Sequence, residues 1–118
     1  MINDQIVVGI THGDINGVGY EVIIKALMDN RVMEYCTPVV YGSPKVAAYH
    51  RKALNIDNFS FNNITEPEEA NYKRANIINC LDDDVRVELG KSTTMAGKSA
   101  IIPLEKAVND LSEGRIDV

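Results

Sequence analysis

The opening stretch constrains this chain most. Ile6-Val7-Val8-Gly9-Ile10 is a continuous apolar run rich in β-branched residues, and a turn carrying Gly13, Gly17 and Gly19 follows it directly. A run that is apolar at every position, rather than alternating, suits a strand buried on both faces of a parallel sheet. Beyond the turn, Val22, Ile23, Ala26 and Leu27 recur at helical spacing through residues 21–28. Strand, glycine turn and helix in this order predict the start of a βαβ unit.

The unit repeats. Val39-Val40-Tyr41 reads as a second short strand, and Ser43-Pro44 as a helix start with a hydroxyl N-cap and proline at the first helical position. Val46, Ala47, His50 and Leu54 then face the sheet. Three further strands are predicted: around Phe59 and Phe61, over 75–80, and where Val85, Val87 and Leu89 alternate with Arg86 and Glu88. The polar residues 66–71 form a surface loop. A last helix follows from Leu104, Ala107, Val108 and Leu111, with Gly114 placed to end it. Pro103 lacks the N–H that a helix interior needs, so this helix is expected to begin late or to bend there. Ile116-Asp117-Val118 looks like the opening of another strand, and residues 1–118 are accordingly expected to be the N-terminal part of a larger α/β domain.

The 118 residues are 45% hydrophobic and 25% charged, enough to bury a core, and no linker or low-complexity tract divides them. A net charge of −5 argues against a nucleic-acid or anionic-membrane partner, since both attract a basic surface. The first residues lack the basic start and apolar run of a signal peptide, and no apolar stretch approaches membrane-spanning length. The two cysteines, Cys36 and Cys80, lie far apart beside apolar stretches and read as reduced packing residues. A reducing cytoplasm fits these features.

The chemistry concentrates in Thr11-His12-Gly13-Asp14-Ile15-Asn16-Gly17-Val18-Gly19-Tyr20-Glu21, which joins the first strand to the first helix. Ligands of parallel α/β sheets bind at the carboxyl ends of the strands. Closely spaced glycines permit positive φ and close backbone approach, so such a loop can aim N–H groups at a phosphate or carboxylate while Asp14 accepts hydrogen bonds. The spacing is not the G-x-G-x-x-G of an ordinary dinucleotide fold. By itself the loop fits a tight structural connection as well as a ligand site.

Taken as a whole, Ile10-Thr11 followed by Gly13-Asp14, Gly17, Gly19 and Glu21 resembles the N-terminal signature of the 4-hydroxythreonine-4-phosphate dehydrogenase family. Gly90, Gly97, Ser99, the helix carrying Ala107, Gly114 and Asp117 look like the family segment that precedes a strand leading to the catalytic region. The likeness covers nearly the whole chain and the opening third of a family member. His12 departs from it, standing where a proline is commoner, as do Ile15-Asn16, where proline and a small residue are commoner.

The resemblance implies a mostly parallel sheet with flanking helices, a partial domain of an isocitrate/isopropylmalate dehydrogenase-like fold, in an enzyme that is homodimeric at full length. It implies oxidation of 4-phosphooxy-L-threonine with NAD or NADP, followed by loss of CO₂ to give 3-amino-2-oxopropyl phosphate for vitamin B6 synthesis. It also implies a divalent metal (Zn, Mg or Co), whose histidine ligands, with the substrate-binding and phosphate-gripping residues, belong downstream of Val118. No catalytic or metal-binding residue is therefore assigned within this chain. Gly13, Asp14, Gly17 and Gly19 are the cofactor-binding candidates, with Glu21 supporting the helix start.

Other features carry blander readings. His12 beside Asp14 is too few groups for a metal site, and His50 sits on an apolar helix face as a hydrogen-bonded core histidine does. Gly90-Lys91-Ser92-Thr93 and Gly97-Lys98-Ser99 each lack the earlier glycine of a phosphate-binding loop. Asp82-Asp83-Asp84 is a like-charge run that suits a solvated turn. Two rival functions stay open: a related dehydrogenase of a four-carbon phosphorylated sugar acid (4-phospho-threonate or erythronate), and a non-catalytic α/β ligand-binding module.

Overall fold

The computed structural model describes residues 5–118. Four strands, β1 (Ile6–Thr11), β2 (Cys36–Gly42), β3 (Asn62–Ile64) and β4 (Asn76–Asn79), form one sheet in the order β1-β2-β4-β3, parallel at every pairing. Helix α1 (Gly19–Leu27) follows β1, α2 (Pro44–Ala53) follows β2, and α3 (Thr94–Ser112) follows β4. This is the predicted α/β arrangement.

Side chains of adjacent strand residues point to opposite faces, and the two cores divide accordingly. Val40 and Ile77 pack with Tyr20, Ile24, Val46 and Ala47 beneath α1 and α2. Val39, Tyr41 and Ile78 pack with Ala107 and Ile116 on the opposite face. Helix α3 reaches both: Ala96 near its start belongs to the first core and Ala107 to the second. The fully covered strand is β2, buried from Thr37 to Gly42, because it lies between two neighbours.

Several expectations need correction. β1 is not buried on both faces: it stands at an edge of the four-stranded sheet, with Ile6 exposed and its other residues half-buried. Residues 116–118 run alongside its open edge, where Asp117 N–H donates to Val7 O and Gly9 N–H to Val118 O. The strand predicted around Phe59 and Phe61 begins only at Asn62, and the two rings instead pack edge to face against the first core. Residues 85–89 form no strand. Val85 N–H donates to Asp82 O, Arg86 N–H to Met95 Sδ and Glu88 N–H to Asn16 Oδ1, and Asn16 also bonds the following Gly90 and Lys91, so loop contacts replace a sheet ladder.

The start of α2 is as expected, with Ser43 Oγ accepting from Val46 N–H at 3.2 Å and Pro44 in the first turn. The long helix ends before Gly114 as expected but begins earlier than expected. It starts at Thr94, whose N-cap Thr93 accepts from Ala96 N–H, and continues through Pro103 without a break. Its buried residues are Ala96, Ser99, Pro103, Ala107 and Asp110, while Leu104, Val108 and Leu111 face outward. On α1, Val22 and Ala26 are likewise exposed, and Tyr20, Ile23, Ile24 and Leu27 turn inward.

Candidate functional site

The glycine loop leaves the carboxyl end of β1 and lies against that of β2, where His12 N–H donates to Tyr41 O at 3.2 Å. Gly13 has φ +72°, a left-handed conformation that favours glycine, and a Cβ there would meet nothing within 4 Å. The corner at Gly13 is therefore open to an approaching group. Asp14 is exposed, and its carboxylate accepts from Asn16 N–H at 2.9 Å while its carbonyl accepts from Gly17 N–H at 3.1 Å. Gly19 meets a different demand, since a Cβ would lie 2.5 Å from the His12 carbonyl oxygen. Main chain passes too close to main chain for any side chain. Val18, the N-cap of α1, gives the helix no side-chain cap.

Beneath this surface the loop is anchored by buried polar groups. His12 is 1% exposed, and both of its ring nitrogens are engaged: Nδ1 with Tyr20 Oη and Nε2 with Ser99 O, each at 2.7 Å. A carbonyl can only accept, so Nε2 carries the proton and Nδ1 accepts from Tyr20 O–H. Tyr20 Oη in turn accepts from Ser43 N–H at 3.0 Å. Burial pulls His12 below the ordinary histidine value, which keeps the ring neutral and matches this tautomer. No lone pair is left for a metal.

Asn16 forms the second anchor. Its Nδ2 donates to Lys91 O at 3.0 Å, its Oδ1 accepts from Glu88 N–H at 2.6 Å, and its carbonyl accepts from Gly90 N–H at 2.8 Å. His50 forms the third, its Nε2 donating to Ile15 O at 2.7 Å with the ring stacked on Tyr20. The core reading of His50 holds, with the added role of holding the loop from below.

The four candidates Gly13, Asp14, Gly17 and Gly19 thus share one turn at the sheet's carboxyl edge. The structure does not join them to the neighbouring cavity. That space, about 370 Å³, opens between the residues after β4 and the first turns of α3, lined among others by Leu81, Asp84, Thr94, Lys98 and Ser99. The loop reaches it only indirectly, through the His12 bond to Ser99. Asp82, Asp83 and Asp84 are exposed in a turn as expected, Gly97 is interior to α3, and Gly90 sits in a turn with φ +76°. Among the described residues, no three His, Cys, Asp or Glu side chains come together to hold a metal.

Sequence reasoning gave Asn16, Tyr20, Gly42 and Ser99 no part in anchoring this site. For Ser99 a signal existed: a proline four residues later removes the donor that a helical carbonyl expects, marking Ser99 O as an acceptor in need of a partner. Gly42 had no such signal. It is required because a Cβ would lie 2.2 Å from Tyr20 Oη and 2.6 Å from His12 Nδ1.

Comparison with known proteins decides the lineage. The family model for the pyridoxal phosphate biosynthetic protein PdxA matches residues 34–118. The chain belongs to the PdxA family. Over its whole length it is 54% identical to the 4-hydroxythreonine-4-phosphate dehydrogenase of Bacteroides thetaiotaomicron, 32% of which it covers. It is 33% identical to a putative D-threonate 4-phosphate dehydrogenase of Clostridium botulinum, covering 99% of this chain and 36% of that one. A solved PdxA-type structure, the 4-hydroxythreonine-4-phosphate dehydrogenase from Burkholderia phymatum, superposes with a TM-score of 0.85 at 30% identity, over 98% of this chain and 35% of that one. The chain spans about a third of the length of these PdxA relatives.

Proposed function

We propose that a polypeptide carrying this segment at the relatives' full length is an NAD-dependent 4-hydroxythreonine-4-phosphate dehydrogenase of vitamin B6 synthesis, working as a homodimer in the cytoplasm. The observation that carries this reading is the 54% identity to a dehydrogenase of that name, which extends across the glycine loop as well as the family-matched residues 34–118. The reaction moves a hydride from the carbon bearing the substrate hydroxyl to NAD, with release of the hydroxyl proton. The resulting β-keto acid then loses CO₂ and takes up a proton at the carbon that carried the carboxylate, leaving 3-amino-2-oxopropyl phosphate. When bound, the nicotinamide supplies the hydride acceptor.

In this reading the segment contributes one wall of the cofactor cleft. Gly13, Asp14, Gly17 and Gly19 meet the dinucleotide: the open corner at Gly13 lets its backbone approach closely, and the exposed Asp14 carboxylate is placed to accept from a hydroxyl. The divalent metal implied by the family resemblance finds no ligand set among the described residues, so no step is assigned to it here. The unpaired Cys36 and Cys80 fit a reducing compartment, and burial pushes the Cys80 thiol up to about 11, away from reactivity. Among the described residues, no helix is long and apolar enough to cross a membrane.

The 33% identity to a protein named putative D-threonate 4-phosphate dehydrogenase favours a second reading in which the substrate lacks the amino group. Following NADH formation by absorbance with each phosphorylated acid separates the two: turnover of 4-phosphooxy-L-threonine is expected to be the faster, and preference for D-threonate 4-phosphate overturns the first reading. Asp14→Ala is expected to raise the KM for NAD by about tenfold, the equivalent of one lost charged hydrogen bond. The 118-residue segment alone is expected to form no NADH.

A further inference from the structure

We propose that His12 is a positioning residue for the glycine loop, fixing the Gly13-Asp14 corner by donating from Nε2 to the Ser99 carbonyl, whose usual helical donor four residues on is removed by Pro103. This rests on the reading that the loop meets the dinucleotide. In an unbroken helix the N–H of residue 103 would bond to the carbonyl of residue 99, and proline has none to give. Ser99 is 3% exposed, so water is a poor substitute and an unpaired carbonyl would be costly. His12 Nε2 stands 2.7 Å from that oxygen.

The surroundings are shaped around this ring. Gly42 leaves room where any Cβ would strike Tyr20 Oη and His12 Nδ1, and Gly19 leaves room beside the His12 carbonyl. Donors and acceptors run in one consistent direction, from Ser43 N–H to Tyr20 Oη, from Tyr20 O–H to His12 Nδ1, and from His12 Nε2–H to Ser99 O. The imidazole thereby joins the carboxyl ends of β1 and β2 and the start of α1 to the second turn of α3. Gly13 and Asp14 lie between two tethers, His12 on one side and Asn16 on the other, and Asp14 is exposed between them. A change in the backbone at His12 is passed directly to the corner that faces the ligand.

Two substitutions divide the ring's functions. Asn at position 12 keeps an acceptor near the Nδ1 site for Tyr20 but does not reach Ser99, whereas Gln places an amide N–H near the Nε2 site. In the full-length enzyme, His12→Asn is expected to raise the KM for NAD about tenfold while changing kcat by less than about twofold, and His12→Gln to restore KM to within about threefold of the parent. Pro103→Ala supplies the decisive background, because alanine returns the helical N–H to Ser99 O without rebuilding the tether. His12→Asn combined with Pro103→Ala is expected to recover melting temperature but to keep the raised KM relative to Pro103→Ala alone.

An unchanged KM in that pair would mean that His12 only satisfies a buried carbonyl, and the proposal would be overturned. If His12→Asn fails to fold by itself, the same pair still separates the two roles. Gly13→Val tests the underlying reading separately. Should it leave KM and kcat unaltered, the loop does not meet NAD and both readings fall; should it raise KM while the His12 variants do not, the positioning proposal alone falls.

Discussion

The glycine-loop corner and the outward face of α3 invert the usual relation between polarity and burial. At the corner, His12, Asn16, Tyr20 and Ser43 are polar yet almost wholly buried, each with a hydrogen-bond partner. On α3, Ile101, Leu104, Val108 and Leu111 are apolar yet 44–54% exposed, while the side facing the sheet carries Ala107 and Asp110. Asp110 is buried because it has partners: Tyr41 O–H donates to it at 2.7 Å, and Arg115 and Lys106 reach it at 3.3 and 3.5 Å. Burial in this fold follows the availability of a neighbour, whether a packing surface or a hydrogen-bond partner, and hydropathy alone does not rank it.

The strongest way to break this comparison is to crowd the buried polar corner. Gly42→Ala places a methyl within van der Waals overlap of Tyr20 and His12, and it is expected to destabilise the protein by about 3 kcal/mol or more in urea unfolding. A loss below about 1 kcal/mol would show that the corner yields easily. Tyr41→Phe comes next. It strips the nearest donor from the buried Asp110 and is expected to cost about 2 kcal/mol, measured the same way.

Acidification probes the corner more gently. Burial lowers His12 from its ordinary value of 6.5, so between the folded value and 6.5 the unfolded chain binds more protons than the folded one. Stability contributed by the neutral ring is thus fully present above 6.5 and is lost as pH falls below it. Replacement by glutamine, which does not titrate, should flatten that part of the stability profile; an unchanged slope would remove His12 from the account. The smallest effect is expected on α3, where Leu104→Gln with Val108→Gln should alter the stability of the 118-residue segment by no more than about 0.5 kcal/mol, because neither side chain has much burial to lose.

Much of the fold could be read from local pattern. The apolar runs at β1, β2 and β4, the Ser43-Pro44 helix start and the glycine loop between β1 and α1 lie where the sequence puts them, since each depends on residues close in the chain. The failures involve partners distant in sequence. Residues 85–89 alternate like a strand, but the Asn16 side chain takes up the neighbouring main-chain bonds and no ladder forms. The apolar repeat on α3 identified a helix correctly, but of its four residues only Ala107 is buried, alongside Ser99, Pro103 and the paired Asp110.

At the candidate site, two of the three residues at which the loop departs from the signature it resembles are those that hold it. His12 stands where proline is commoner, and Asn16 falls in the second departure. A proline would restrict the turn through a fixed φ; these residues restrain it through hydrogen bonds to Ser99, Glu88 and Lys91. Composition, periodicity and glycine spacing therefore determined the α/β class, the order of elements and the turn on which chemistry centres, because these depend on local conformation and on the ratio of apolar to polar residues. Only the tertiary structure decided that His12 pairs with a carbonyl 87 positions away, that Gly42 must lack a side chain and that α3 turns its larger apolar residues outward. Those outcomes depend on which surfaces meet in space, and no local pattern in the chain records that.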